Sequence, residues 1–198
     1  WDTAALQGTG SHDIRMEDVF VPENRLFNLM IPPRIDRTLY RYPFMSIAEA
    51  SFGAVALGYA RGALTAFAEG PARRRPMGGE RTAADFDAVQ ERFGQAEMRL
   101  RAARAFFRQA TEAVWEAVVR EQEVTREQQR AVTLATVHAV TECREGIDRL
   151  CEAAGMGITY RTDPLGRFQR GLHALSQHAM TSPLRAVELG RALLETSQ

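Results

Sequence analysis

Between Phe86 and Ala117, apolar side chains recur at alternating spacings of three and four residues: Phe86, Val89, Phe93, Ala96, Leu100, Ala103, Phe107, Ala110, Val114 and Ala117. A strand cannot carry that period, because its side chains change face at every residue. The pattern is a heptad-like seam on one long helix of about 35 residues, roughly 50 Å at 1.5 Å each. A single apolar stripe of that length is buried only against other helices crossing at a shallow angle, so the chain must fold as a helical bundle.

The remaining punctuation agrees. Ser46-Ile-Ala-Glu49 has the form of a capping box, predicting a first helix over about 47–69 that stops at Gly70-Pro71. Thr125-Arg-Glu-Gln128 is a second capping box, opening a helix that ends at Gly155. Asp163-Pro164 supplies an N-cap and a proline at the first helical position, and Ser182-Pro183 repeats the device. The expected fold is mainly α, an up-down bundle of four long helices plus a short one.

Residues 1–43 read differently. In DIRMEDVFVPENRLF, Ile14 and Met16 alternate with Arg15 and Glu17, and Val19-Phe20-Val21 runs into Pro22. This predicts one or two short strands, the end of a β domain, followed by a linker containing Pro32, Pro33 and Pro43. The division is therefore 1–43 and 44–198. The chain starts at Trp1 amid these strand-like residues, so about 200 further residues are expected upstream in the complete protein, the isolated piece being inactive.

Charge narrows the partners. Twenty-five basic residues balance 25 acidic ones, so neither nucleic acid nor an anionic membrane surface has electrostatic support. No segment approaches ~18 uninterrupted apolar residues, so no membrane-spanning helix is expected. Every basic residue is arginine, and the longest basic run, Arg73-Arg74-Arg75, lies in a Gly- and Pro-bounded loop. Cys143 and Cys151 share one predicted helix, where eight residues separate them by about 12 Å. That exceeds disulfide reach, and two free thiols suit a reducing, cytoplasmic location.

Several motifs fail. GTGSHD at 8–13 lacks the third glycine and the following helix of a dinucleotide fingerprint. The four histidines show no metal-ligand spacing. Ser11, His12 and Asp13 are consecutive and cannot form a triad among themselves.

GTGSHDIRMEDVFVP, followed by a bundle carrying ALGYARGAL at 56–64, Gly155-Met-Gly157 and Pro164-Leu165 leading to Arg170, resembles the acyl-CoA dehydrogenase superfamily of flavoproteins. The resemblance covers the whole chain: the end of a middle β domain, then the C-terminal helical domain. It implies a homo-oligomer, tetrameric or dimeric, binding FAD or FMN between β domain and bundle. Gly155 and Gly157 then let backbone N–H groups approach a phosphate, and Arg75 neutralises it. Gly155 serves equally as a helix C-cap.

In many dehydrogenases of this superfamily the catalytic glutamate lies in a Tyr-Glu-Gly-Thr-Ser segment. Here the corresponding residues are His178-Ala179-Met180-Thr181-Ser182. Thr181 and Ser182 match and are the expected flavin contacts, but Ala179 cannot take a proton. Glu49, on the first bundle helix, is an alternative base, although the capping box already accounts for it. LSQHAMTSP is similar instead to the segment of two-component flavin-dependent monooxygenases, which take reduced flavin from a partner reductase and hydroxylate small, aromatic or related substrates. His178 is then the catalytic candidate, able to deprotonate a phenol or hold a peroxide oxygen by a hydrogen bond. It is expected in the last turn of the fourth helix, sharing a small-residue stripe with Gly171 and Ala174, where it would also complement the helix dipole. Gly171 in mid-helix and Asp87, where the dehydrogenases often carry a flavin-binding glutamine, keep open a third alternative, a non-catalytic oligomerisation bundle.

Overall fold

In the computed structural model, residues 1–29, 31 and 33–195 are described; Pro32, one of the expected linker prolines, lies outside them. Six α-helices follow in order: α1 (Thr38–Arg41), α2 (Phe44–Glu69), α3 (Asp87–Val119), α4 (Arg126–Ala154), α5 (Pro164–Leu175) and α6 (Arg185–Glu195). α2, α3, α4 and α5 pack on one another around a single apolar core.

The α3 seam folds as its period requires. Ala96, Leu100, Ala103, Phe107, Ala110, Val114 and Ala117 are buried, and the seam loosens over its first two turns, with Val89 and Phe93 partly buried and Phe86 exposed ahead of the helix. α2 touches α3, α4 and α5, and glycine seats let two of these neighbours approach. A Cβ at Gly53 would fall 2.4 Å from the Phe107 ring of α3, and one at Gly62 would fall 2.6 Å from Phe168 of α5. Both rings occupy space that any larger residue would fill, so these glycines set the α2–α3 and α2–α5 contacts.

The predicted caps at Thr125 and Asp163 form. Thr125 and Gln128 exchange backbone and side-chain hydrogen bonds, and Asp163 accepts from Gly166 N–H at 3.0 Å. The box at Ser46–Glu49 does not form. Pro43 starts the helix earlier, at Phe44, leaving Ser46 inside the first turn and buried. Glu49 therefore faces the interior and needs another explanation.

The expected strands are also absent among the described residues. Residues 10–22 form no regular element, with positive φ at Gly10 and Asp18 and with Ile14, Met16 and Phe20 largely exposed. A strand needs a ladder partner for its N–H and C=O groups, and none of the described residues supplies one.

The third difference lies after α5. The helix stops at Leu175 rather than continuing to Ser182. Thr181 ends it: its buried hydroxyl hydrogen-bonds to the Leu175 carbonyl at 2.8 Å and to the His178 carbonyl at 2.9 Å. Ser176 adds a bond from its hydroxyl to the His173 carbonyl. These bonds satisfy the last helical carbonyls locally, a recognised way for hydroxyl side chains to compete with helix propagation.

Candidate functional site

Beyond Leu175 the chain turns through His178 into a short 3-10 turn, Ala179–Thr181. His178 has extended backbone, outside any α-helix. Its Nδ1 accepts a hydrogen bond from Met180 N–H at 3.2 Å. With Nδ1 accepting, the neutral imidazole carries its proton on Nε2. The ring stacks on Phe52 of α2, centroids 4.3 Å apart and planes inclined by 28°. His178 remains exposed, so its edge is available to a reactant.

Ala179 is exposed beside it, and Thr181 and Ser182 complete the turn. The two hydroxyls are engaged in holding the backbone: Thr181 as described, Ser182 by accepting from Leu184 N–H at 3.3 Å. The small stripe on α5 is not open. Tyr59 of α2 covers Gly171, its ring atoms 3.1 Å from where a Cβ would stand. The space that glycine leaves holds a tyrosine.

One helical turn before Phe52 on α2, Glu49 is buried with both carboxylate oxygens engaged. Oε2 accepts from the Thr133 hydroxyl of α4 at 2.6 Å, and Oε1 accepts from Arg185 Nη2 of α6 at 2.6 Å. Phe52–His178 and Glu49–Arg185 thus tie α2 twice to the segment 178–185. Glu49, Thr133 and Arg185 line a cleft of about 330 Å³, together with Arg126 and Arg130 of α4 and Glu188 of α6.

A second group of candidates lies beyond the other end of α5, about 18 Å along its axis at 1.5 Å per residue. Gly155 ends α4 with φ +71°, a backbone conformation that favours glycine, and nothing stands within 4 Å of its missing side chain. At Gly157 the neighbour is the Arg74 guanidinium, whose Nη2 is also 3.8 Å from Asp163 Oδ2. Arg75 is exposed, and the loop arginine that reaches this turn is Arg74. Among the described residues no cluster of His, Cys, Asp or Glu could hold a metal ion. No helix of the described structure is long and apolar enough to cross a membrane.

Sequence reasoning had singled out His178 and Glu49 but not Phe52, Thr133 or Arg185. Thr133 and Arg185 lie 84 and 136 residues from Glu49, beyond any local pattern. The one available clue was a glutamate within the apolar face of α2.

Comparison with known proteins adds the following. Residues 50–183 match the family model described as acyl-CoA dehydrogenase, C-terminal domain. The chain is 32% identical over 179 residues to an indole-3-acetate monooxygenase of Acinetobacter baumannii, covering 90% of this chain and 46% of that protein. It is 31% identical to the oxygenase subunit HsaA of a flavin-dependent monooxygenase from Rhodococcus jostii, covering 94% of this chain and 51% of that one. The crystal structure of a 3-HSA hydroxylase from Rhodococcus sp. RHA1 superposes with a TM-score of 0.84 at 28% identity, over 94% of this chain and 50% of that one. The chain spans about half the length of the curated relatives it matches.

Proposed function

Because this chain belongs to the acyl-CoA dehydrogenase family, as a C-terminal domain of that kind, we propose that it is the helical half of a flavin-dependent monooxygenase hydroxylating a small aromatic substrate. The observation that carries this is His178. It is exposed and stacked on Phe52, at the segment where a dehydrogenase bears its glutamate. Ala179 has no titratable group, and both oxygens of Glu49 are occupied. The chain thus lacks a carboxylate poised to take a substrate proton at either expected place, which speaks against the dehydrogenase alternative.

FAD or FMN fits the donor set. Arg74, only loosely paired with Asp163, stands beside the Gly155–Gly157 backbone and suits a phosphate. The flat His178–Phe52 pair suits an aromatic ring. When bound in reduced form, flavin supplies two electrons to O2, so that one oxygen atom enters the substrate C–H bond and the other leaves as water.

His178 contributes a hydrogen bond. With Nδ1 taken by Met180 N–H, Nε2 is the ring nitrogen left to a reactant, and as an N–H it donates to an oxygen and does not accept from a phenol. Between the two roles expected of it, geometry favours the donor. A flavin reductase partner, a homo-oligomeric assembly and a cytoplasmic location accompany this proposal.

The test uses the full-length protein. Reduced FAD and FMN are titrated anaerobically, then oxygen uptake and hydroxylated product are measured with indole-3-acetate as the first substrate. Flavin binding is expected, and His178→Ala, which has no donor, should lower product per oxygen consumed by about tenfold or more. Absence of flavin binding overturns the proposal, and unchanged coupling in the variant removes His178 from the mechanism.

A further inference from the structure

Arg185 carries an unsatisfied group. Its Nη2 binds Glu49, but its Nε is buried and has no hydrogen-bond partner among the described residues. A buried N–H left without an acceptor is destabilising. The arginine is nonetheless held in this position by the Glu49 carboxylate, itself anchored by Thr133. Glu49 thereby fixes the guanidinium in the cleft wall, and the part of the Arg185 side chain that stays exposed, about a third, is what an acceptor arriving from outside can reach.

The cleft's charge says which acceptor. Arg126 and Arg130, on the first turns of α4, make no ion pair among the described residues. Counting Arg185, three guanidinium groups face two carboxylates, Glu49 and Glu188, so the lining holds one unit of positive charge in excess. The N-terminal end of the α4 dipole adds to it. A monoanion is the matching ligand, and the planar fork of a guanidinium matches a carboxylate.

Its place suggests what the carboxylate belongs to. Glu49 and Phe52 are three residues apart on α2, so their side chains are neighbours, roughly 5–6 Å apart at Cβ. Phe52 carries the His178 ring. A flat molecule with its acid group in the cleft therefore has its ring within one helical turn of His178.

We propose that the cleft between the start of α2, the first turns of α4 and α6 is the carboxylate subsite of the substrate pocket. Arg185, Arg130 and Arg126 bind the acid group, and Glu49 acts as the positioning residue for Arg185. The substrate class is a small aromatic carboxylic acid. The placement of the aromatic ring rests on the monooxygenase proposal; the acid subsite itself does not.

The experiment is calorimetric titration of the full-length protein with indole-3-acetate and with its uncharged counterpart indole-3-acetamide, each with and without reduced flavin under anaerobic conditions. The acid should bind at least about tenfold more tightly than the amide. That preference should fall to about twofold or less in Arg126→Gln/Arg130→Gln and in Arg185→Gln, and added salt should weaken only the acid. Arg126 and Arg130 are exposed, so their variant tests the subsite even if Arg185→Gln unfolds the bundle. Equal binding of acid and amide, a preference that survives these substitutions, or binding of neither molecule overturns the proposal. An arginine-dependent preference in a protein that binds no flavin supports the subsite and rejects the monooxygenase assignment. Flavin-dependent hydroxylation with no preference for the acid does the reverse.

Discussion

Arg185→Met should destabilise the bundle more than Glu49→Gln, and the two changes should not add. The Glu49 side chain is 4% exposed and the Arg185 side chain 32%. Removing the arginine strands a carboxylate in the interior with one hydroxyl donor, Thr133. Breaking a buried pair in this way costs ~3–5 kcal/mol, and the partial exposure of Arg185 puts the effect at the lower end, about 3 kcal/mol. Glu49→Gln keeps an acceptor for Thr133 and frees Arg185 to turn toward solvent, so it loses one charge-assisted hydrogen bond, about 1.5 kcal/mol. The double variant removes the buried charge along with its counter-ion. It should be no less stable than Arg185→Met alone, a coupling of about 1.5 kcal/mol or more. Urea midpoints followed by far-ultraviolet circular dichroism, at unchanged slope, measure all four corners of the cycle. Additivity within about 0.5 kcal/mol would show that the two side chains do not meet in solution. The explanation of Glu49 as an interior anchor, and the orientation of Arg185 derived from it, would then both fall.

The glycines of α2 separate packing from propensity. Gly53→Ala drives a methyl into the Phe107 ring and should cost ~1–3 kcal/mol, less the ~0.5–1 kcal/mol that alanine gains in a helix, so its melting temperature falls. Gly58→Ala, on the same helix with nothing within 4 Å of the added carbon, should stabilise by about 0.5–1 kcal/mol; equal shifts in the two variants would refute the seat at Gly53. Burial pushes both the Cys143 and Cys151 thiols up to about 12. An unfolded thiol ionises near ~8.5. Above that pH the unfolded chain releases protons that the folded one still holds, so stability should fall as pH rises from about 8.5 toward 12. Cys143→Ala/Cys151→Ala should flatten that slope in denaturation measured across alkaline pH, and an unchanged slope would show that these thiols do not cause it.

The bundle was legible in the linear order of residues because its causes are local and periodic. The α3 seam reports which face is buried, and Thr125 and Asp163 satisfy N–H groups within three residues of themselves. His178 became a candidate through the resemblance of LSQHAMTSP to the monooxygenase segment, with Ala179 beside it. Where tertiary contacts compete with local preference, the pattern misled. Ser46 and Glu49 have the spacing of a capping box, but the helix starts at Phe44, and Glu49 turns inward to Thr133 and Arg185. The expected fourth helix runs on to Ser182, but Thr181 folds back on the Leu175 carbonyl and releases His178 into a turn, where it stacks on Phe52. Gly171 reads only as a small residue on the His178 stripe, and Tyr59 fills the space above it. A sequence alone determines which faces must be buried and where helices can begin, because those follow from one chain segment's own period and its own unsatisfied groups. Which distant side chain meets a buried charge or fills the space above a glycine depends on how the helices cross, and only the folded bundle decides that.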